Sequence, residues 1–135
     1  MKKAVLFSVI LLTTGFCEDL FELGVEAYNK GELDKAAKQW QRGCNGGDID
    51  SCTNLGTLYE NGQGVEQDYS KSVELYEKAC NNGYNRGCFN LGAFYLKGKG
   101  AKQDYHTAKE YFGKACDLGL QQGCDIYKKI NEKGF

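Results

Sequence analysis

The stretch YEKACNNGYNRGCFNLGAFYLKG, residues 76–98, contains two cysteines separated by seven residues, followed by a Leu-Gly pair and aromatic residues. The same cysteine spacing occurs 36 residues earlier and 36 residues later, and the six cysteines concerned are Cys44, Cys52, Cys80, Cys88, Cys116 and Cys124. A fixed period of this length is the signature of a repeat protein, in which one supersecondary unit is copied along the chain.

Further positions coincide when the chain is laid on itself at this period. They are Leu55-Gly56 on Leu91-Gly92, Gln67-Asp68-Tyr69 on Gln103-Asp104-Tyr105, and Lys78-Ala79-Cys80 on Lys114-Ala115-Cys116. An earlier copy, from Leu23 to Cys44, fits the same template if the template is shortened by four residues at the turn between Asn29 and Leu33. The sequence therefore predicts three stacked units, of which the first has a tighter turn.

Apolar residues within each unit recur at steps of three or four, as in Leu55, Leu58 and Tyr59, which is the helical period. We predict two helices per unit, over residues 51–61 and 70–81 in the central copy. The turn between them, at residues 62–65, contains glycines that permit positive φ. The aspartates before the second helices, Asp68 and Asp104, are expected to be caps or first-turn acids that favour the positive helix end.

Each second helix has a small side chain and, four residues later, a large aromatic one, at equivalent positions of the three units. The large ones are Trp40, Tyr76 and Phe112, and the small ones are Ala36, Ser72 and Ala108. We interpret all of these as packing residues. Gly56 and Gly92 lie inside first helices, where glycine costs about 1 kcal/mol relative to alanine. A close helix crossing at each glycine would offset that cost.

The N-terminal segment has the pattern of a secretory signal, because Lys2 and Lys3 precede a mostly apolar stretch at residues 4–16. Cleavage after Cys17 would remove the one unpaired cysteine, so we assign residues 1–17 to the signal. Cleavage after Gly15, a lipid anchor on Cys17 and an uncleaved membrane anchor are the alternatives. We predict a secreted or periplasmic protein with no stable membrane insertion after signal removal.

Export determines the chemistry of the cysteines, since thiols in an oxidising compartment form disulfides. We predict three, each joining the end of one unit's second helix to the start of the next unit's first helix. A zinc site is less favoured, because zinc ligands normally lie two to four residues apart and the chain has a single histidine, His106. We expect His106 to face solvent, and we predict neither a metal nor a cofactor.

Composition sets the outer limits of size and partner. The chain has 135 residues, 41% of them apolar and 26% charged, which suits one compact domain or a short solenoid. The formal net charge of -1 gives no basic surface of the kind that binds nucleic acid. We therefore exclude nucleic acid as a partner.

The ordered motifs Leu-Gly-x-x-Tyr, a glycine-rich turn, Gln-Asp-Tyr and Tyr-x-Lys-Ala-Cys resemble the Sel-one-like repeat family, relatives of the tetratricopeptide repeats. The version with a disulfide in each repeat is similar to the Helicobacter cysteine-rich proteins. The resemblance covers nearly all of residues 20–135 and implies an all-α, right-handed α/α solenoid. We place its repeats at residues 18–52, 53–88 and 89–124, with a closing helix at 125–135. The first repeat departs from the pattern at Leu20, where a cysteine would begin the unit.

The resemblance also implies penicillin binding or β-lactamase activity. Serine β-lactamases use Ser-x-x-Lys, but after the signal segment no serine is followed by lysine three residues on. A carboxylate that activates water is the remaining route, with Glu60, Glu66 and Glu74 as conceivable bases. Nothing in their spacing selects one, and we assign no catalytic residue.

Binding is the function that the repeat architecture favours, because stacked helix pairs form a concave surface lined by first helices. By analogy with tetratricopeptide repeats, Asn54 and Asn90 would face this groove and bond an extended backbone or a carboxylate, with Thr57, Phe89 and Lys97 as neighbours. The alternative is that the asparagines only hydrate the inner face. The expected ligand is a peptide, a protein or a peptidoglycan-like wall fragment, and a structural adaptor role for secreted proteins is a further alternative.

Overall fold

The computed structural model describes residues 19–135, and this part of the chain consists of seven helices with no strand. The helices are α1 (Asp19–Asn29), α2 (Leu33–Asn45), α3 (Ile49–Asn61), α4 (Tyr69–Asn81), α5 (Asn85–Lys97), α6 (Tyr105–Asp117) and α7 (Gln121–Glu132). Each packs chiefly against the helix before it and the helix after it, as in a solenoid. The predicted secretory signal lies outside the described residues.

The predicted pairing of helices within each unit is confirmed. In the central unit both helices end where the sequence pattern ends, at Asn61 and Asn81, but α3 begins two residues earlier than predicted and α4 one residue earlier. The three-residue connection at residues 46–48 is enough to reverse the chain, since Gly47 takes a φ of 94°. The first helix of the unit can therefore start at Ile49.

The turns inside the units explain where the first helices stop. Gly62 takes a left-handed conformation with φ 65° and donates its N–H to the carbonyl of Leu58, which ends α3. Asp68 caps α4 by accepting a bond of 3.1 Å from the N–H of Lys71, and Asp104 caps α6 in the same way. The turn of the first unit is shorter, with three residues at 30–32 against seven at 62–68.

The close helix crossings occur at the predicted glycines. A Cβ atom added to Gly56 would lie 2.7 Å from Cε1 of Tyr76, and one added to Gly92 would lie 3.0 Å from the ring of Phe112. Each ring is fully buried against the first helix of its own unit. Only glycine leaves room for these rings, so the cost of glycine in a helix is offset by ring burial.

The three disulfides are present, and each clamps one unit to the next. They join Cys44 to Cys52, Cys80 to Cys88 and Cys116 to Cys124, each with a Cα–Cα distance of 4.6 Å. Closing a loop of this size removes denatured-state entropy worth about 2.5 kcal/mol in the chain-entropy model. The bonds supplement small apolar clusters that follow one another along the stack.

The last helix, α7, follows the pattern of α3 and α5 with one change. Lys128 occupies the position that Gly56 and Gly92 hold in the earlier first helices. The inner side of α7 contributes Ile130, which is 6% exposed, to the cluster around Phe112. In residues 19–135 no helix is long and apolar enough to cross a membrane.

Candidate functional site

The first helices α1, α3, α5 and α7 present successive equivalent positions, and we call the surface between them the first-helix face. At its N-terminal end lies a cleft of about 270 Å³, the N-terminal cleft, lined by Val25, Tyr28, Trp40, Asn54, Thr57 and Leu58. The Trp40 indole at its base is held by a hydrogen bond of 3.1 Å that Nε1 donates to the carbonyl of Phe21. The cleft therefore combines a fixed aromatic floor with the polar side chains of α3.

At the middle of the same face the Tyr76 hydroxyl gathers polar groups from two repeats. It donates a hydrogen bond of 2.9 Å to Oε2 of Glu60 and lies 3.1 Å from the hydroxyl of Thr57. The Asn90 side chain approaches it from α5. We call Thr57, Glu60, Tyr76 and Asn90 the hydroxyl cluster.

Burial strongly raises the pKa of Tyr76 above its ordinary value of 10.0. Hydrogen bonds from Thr57 and Asn90 oppose this rise in the pKa, whereas the negative charge of Glu60 adds to it. Tyr76 is consequently a neutral hydroxyl at physiological pH, and it serves as a hydrogen-bonding group rather than as a nucleophile.

At the C-terminal end lies a second cleft of about 270 Å³, the C-terminal cleft, lined by Leu96, Tyr105, Ile126, Lys129, Ile130, Lys133 and Phe135. Four of its seven lining residues hold positions equivalent to lining residues of the N-terminal cleft two repeats earlier, and they are Leu96, Ile126, Lys129 and Ile130. Three positions on the first helices can be followed through three repeats, with members 36 residues apart. The first position is held by Asn54, Asn90 and Ile126, the second by Thr57, Ala93 and Lys129, and the third by Leu58, Phe94 and Ile130. The first-helix face thus carries three equivalent stations, two of them clefts and the middle one the hydroxyl cluster.

The sequence-predicted binding residues divide between these stations and the core. Asn54 and Thr57 line the N-terminal cleft, and Thr57 and Asn90 meet at the hydroxyl cluster. Phe89 is half-buried and packs edge to face on Phe112, with ring centroids 5.3 Å apart. Lys97 is exposed at the end of α5.

The candidate carboxylates do not converge on one site. Glu60 is engaged by the Tyr76 hydroxyl, Glu66 lies in the α3–α4 turn, and Glu74 is exposed on α4. The expectation that His106 faces solvent is confirmed. In residues 19–135 no three histidine, cysteine or acidic side chains are grouped as metal ligands would be.

Sequence reasoning missed two parts of this face. Tyr76 was identified only as a packing residue, since periodicity places its ring but not its hydroxyl. The lining of the C-terminal cleft was missed because the repeat was followed only as far as its last cysteine. Continuing the 36-residue period one step further would have placed Ile126 and Lys129 in register with Asn90 and Ala93.

Comparison with known proteins identifies the repeat. The Sel1 repeat model matches residues 49–84 and 85–120. This chain belongs to the Sel1 repeat family. The resemblance predicted from the motifs and the all-α solenoid are both confirmed, and Sel1 repeats are typically scaffolds for protein interaction.

Individual relatives agree with this family. HcpD of Helicobacter pylori, whose name assigns it provisionally to the beta-lactamases, is 38% identical over 64 residues, or 47% of this chain. The matched stretch spans only 20% of HcpD. A crystal structure of a Sel1 repeat protein from Oxalobacter formigenes superposes with a TM-score of 0.76 at 29% identity, covering 87% of this chain and 91% of that one.

A relative described as cysteine rich has also been solved. Helicobacter pylori cysteine rich protein B superposes with a TM-score of 0.67 at 28% identity, covering 82% of this chain and 93% of that one. These solved structures therefore share with this Sel1 repeat protein nearly the whole array that is described.

Proposed function

We propose that this Sel1 repeat protein binds an extended peptide segment of a protein partner along its first-helix face. The observation that carries the proposal is the series of three equivalent stations, cleft, hydroxyl cluster and cleft, on successive first helices. An extended chain presents a side chain or a backbone polar group at regular intervals, so regularly spaced stations can each contact one of these groups.

The chemistry of the stations supports a peptide. The Asn54 amide is half-buried in the N-terminal cleft, and an amide offers both donors and an acceptor to a peptide backbone. The apolar walls around it, Val25 and Leu58, can bury a ligand side chain. The hydroxyl cluster supplies further polar groups between the two clefts. Together these features give a groove that holds both the backbone and the side chains of a ligand.

We also propose that the protein works in an oxidising compartment, either secreted or periplasmic. The three disulfides support this, because such bonds persist outside the reducing cytosol. The sequence pattern of residues 1–17 supports it independently. A partner would then be another exported protein or a segment of an envelope protein.

Selection from a phage-displayed library of random twelve-residue peptides tests the proposal on the oxidised protein. We expect peptides to be enriched, and we expect their fluorescence anisotropy to show saturable binding. Changing Asn54→Ala and Asn90→Ala together should weaken that binding about fivefold or more, since each amide provides a polar contact. Asn81→Ala, at an exposed position of a second helix, is the matched control and should leave binding unchanged.

Two results would overturn the proposal. One is a selection that enriches no peptide, or only peptides whose binding ignores both asparagines. The other is saturable binding of purified muropeptides in the absence of any peptide binding, which would assign the face to a cell-wall ligand instead.

A further inference from the structure

We infer that the C-terminal cleft recognises a large apolar side chain that has an acidic residue next to it, so that the ligand lies with its acidic end over α7. This inference rests on the proposed function, and it adds the direction and the side-chain chemistry of the ligand.

The first step is the change of lining between equivalent positions. Asn54 and Asn90 are replaced at the third station by Ile126, and the hydroxyl of Thr57 gives way to the aliphatic stem of Lys129. Ile130, only 6% exposed, forms the floor. The cleft therefore loses the polar groups that could bond a peptide backbone and gains carbon surface that favours an apolar side chain.

The second step is the fixed aromatic wall. The ring of Phe135 stacks on Tyr105 with a centroid distance of 4.4 Å, and both rings line the cleft. A main-chain oxygen of Phe135 also accepts a hydrogen bond from Nζ of Lys109. These contacts hold the wall in place, so an entering side chain meets a preformed site and the cost of ordering it is small.

The third step is the charge of the rim. Lys129 and Lys133 border the cleft, and Lys97 holds the position equivalent to Lys133 in the preceding repeat. All three are exposed, and within residues 19–135 none has a carboxylate at ion-pair distance. An acidic residue beside the anchored side chain would lie near these ammonium groups, and all three positive charges would attract it.

The fourth step is the opposite charge at the other end of the face. Glu22, which is exposed in α1, holds the position equivalent to Asn54 and to Ile126 of α7. Glu60 at the middle of the face and Glu132 in α7 hold equivalent positions, so the difference in charge between the two ends comes from Glu22 at one end and from Lys129 and Lys133 at the other. A ligand with one basic end and one acidic end is therefore favoured in one direction only, with its acidic end over α7.

The separation of the two clefts sets the length of the ligand. Two steps between packed helices, at 8–10 Å each, amount to roughly 20 Å, which an extended chain covers in about six residues. The ligand should therefore carry a second large side chain about six residues from the acidic-flanked anchor, seated against Trp40 in the N-terminal cleft.

The test applies the same phage-displayed library of random twelve-residue peptides to three proteins. These are the wild type, the double variant Lys129→Glu/Lys133→Glu, and the control Lys114→Glu, which changes an exposed lysine of the second helix α6. We expect the wild type and the control to enrich Asp or Glu beside Phe, Tyr or Leu. The double variant should enrich Lys or Arg at that place instead.

Synthesised versions of the enriched peptides give the magnitude. The acidic peptide should bind the double variant at least about tenfold more weakly than the wild type, since two favourable charge contacts become unfavourable. Ile126→Asn, which restores the residue of the earlier repeats, should weaken binding of the same peptide and reduce the preference for a large apolar side chain. Thermal unfolding of each variant, followed by circular dichroism, confirms that the fold is kept.

The outcomes separate the two proposals. If all three proteins enrich peptides of the same composition, the proposed peptide-binding function stands and the inference about the C-terminal cleft is wrong. If no protein enriches any peptide, both are wrong. Binding of the wild type to phosphatidylglycerol vesicles, lost in the double variant and without peptide enrichment, would assign the basic apolar cleft to an anionic lipid surface and would overturn both.

Discussion

Gly43 and Ser51 face each other across the first disulfide-clamped joint, where a Cβ atom added to Gly43 would lie 3.0 Å from the Cβ of Ser51. At the second joint the sizes are exchanged, since Ala79 faces Gly87 and a Cβ added to Gly87 would lie 2.7 Å from the Cβ of Ala79. Each joint therefore has room for one small side chain. The helix that carries it differs between the two joints.

This exchange predicts a compensating pair of substitutions. Gly87→Ser alone should lower the free energy of unfolding by about 1–3 kcal/mol, because it overpacks a fully occupied joint. Adding Ala79→Gly should recover part of the loss, since the second joint then has the Gly-Ser pair of the first. Guanidinium unfolding of the oxidised proteins measures both effects.

Gly46→Ser is the matched control for this pair, because Gly46 is exposed and has an ordinary φ of -80°. It should change stability by less than about 0.5 kcal/mol. If the effects of Gly87→Ser and Ala79→Gly simply add, the two positions do not share one space and the interpretation of the joint is wrong.

The free energy of unfolding should fall measurably at alkaline pH because of the Tyr76 hydroxyl. Burial raises its pKa in the folded state above the unfolded value of about 10, so the unfolded chain releases this proton first. The contribution is complete below pH 10 and is lost as the pH rises from there towards the folded pKa. The melting temperature of Tyr76→Phe should therefore fall less steeply than that of the wild type between pH 10 and pH 12.

Tyr127→Phe provides the comparison, because Tyr127 is 40% exposed and its hydroxyl is not part of the buried cluster. Its melting temperature should follow that of the wild type over the same pH range. Equal alkaline slopes for the wild type and for Tyr76→Phe would show that the Tyr76 hydroxyl is not buried in solution.

The repeat period predicted most of the fold because covalent and steric requirements recur with it. Cys80 and Cys88 recur at every joint, and Gly56 recurs wherever a ring crosses a first helix. Such positions tolerate few alternatives, so they stand out in a single sequence. Helix starts were less well predicted, since α3 gains Ile49 and Asp50 only because a three-residue connection suffices.

The candidate site was predicted only in part, for a different physical reason. Register placed Asn54 and Asn90 on the first-helix face, but contacts between repeats depend on how helices of different units approach one another. The bond from Tyr76 to Glu60 links α4 to α3 through a buried ring, and periodicity alone does not specify where that hydroxyl ends. The C-terminal cleft depends on Phe135, and the period does not predict an aromatic residue there because the equivalent position in the preceding repeat is Lys99.

Removal of the central clamp should destabilise the array without unfolding it. Changing Cys80 and Cys88 together to alanine should lower the free energy of unfolding by about 2.5 kcal/mol, the entropy contribution of a loop of this length. The apolar cluster formed by Leu91, Phe94 and their neighbours remains, so the helical content should be kept. Guanidinium unfolding with circular dichroism measures both quantities.

A reducing agent supplies the corresponding control on the unchanged chain. Dithiothreitol should lower the melting temperature of the wild type by more than that of the double-alanine variant, which has one disulfide fewer to lose. Equal stability of the variant and the wild type under oxidising conditions would contradict a stabilising role for this bond.

We expect no hydrolysis of a chromogenic β-lactam above the buffer rate, although relatives such as HcpD carry a provisional β-lactamase name. Two of the three serines in the described chain, Ser51 and Ser72, are fully buried, and Ser70 has no lysine three residues on. Tyr76 stays protonated, and Glu60 accepts a hydrogen bond from its hydroxyl. An authentic serine β-lactamase at the same concentration is the positive control. Turnover that scales with protein concentration and is lost in Glu60→Gln would instead make the hydroxyl cluster a catalytic site, with Glu60 as the base.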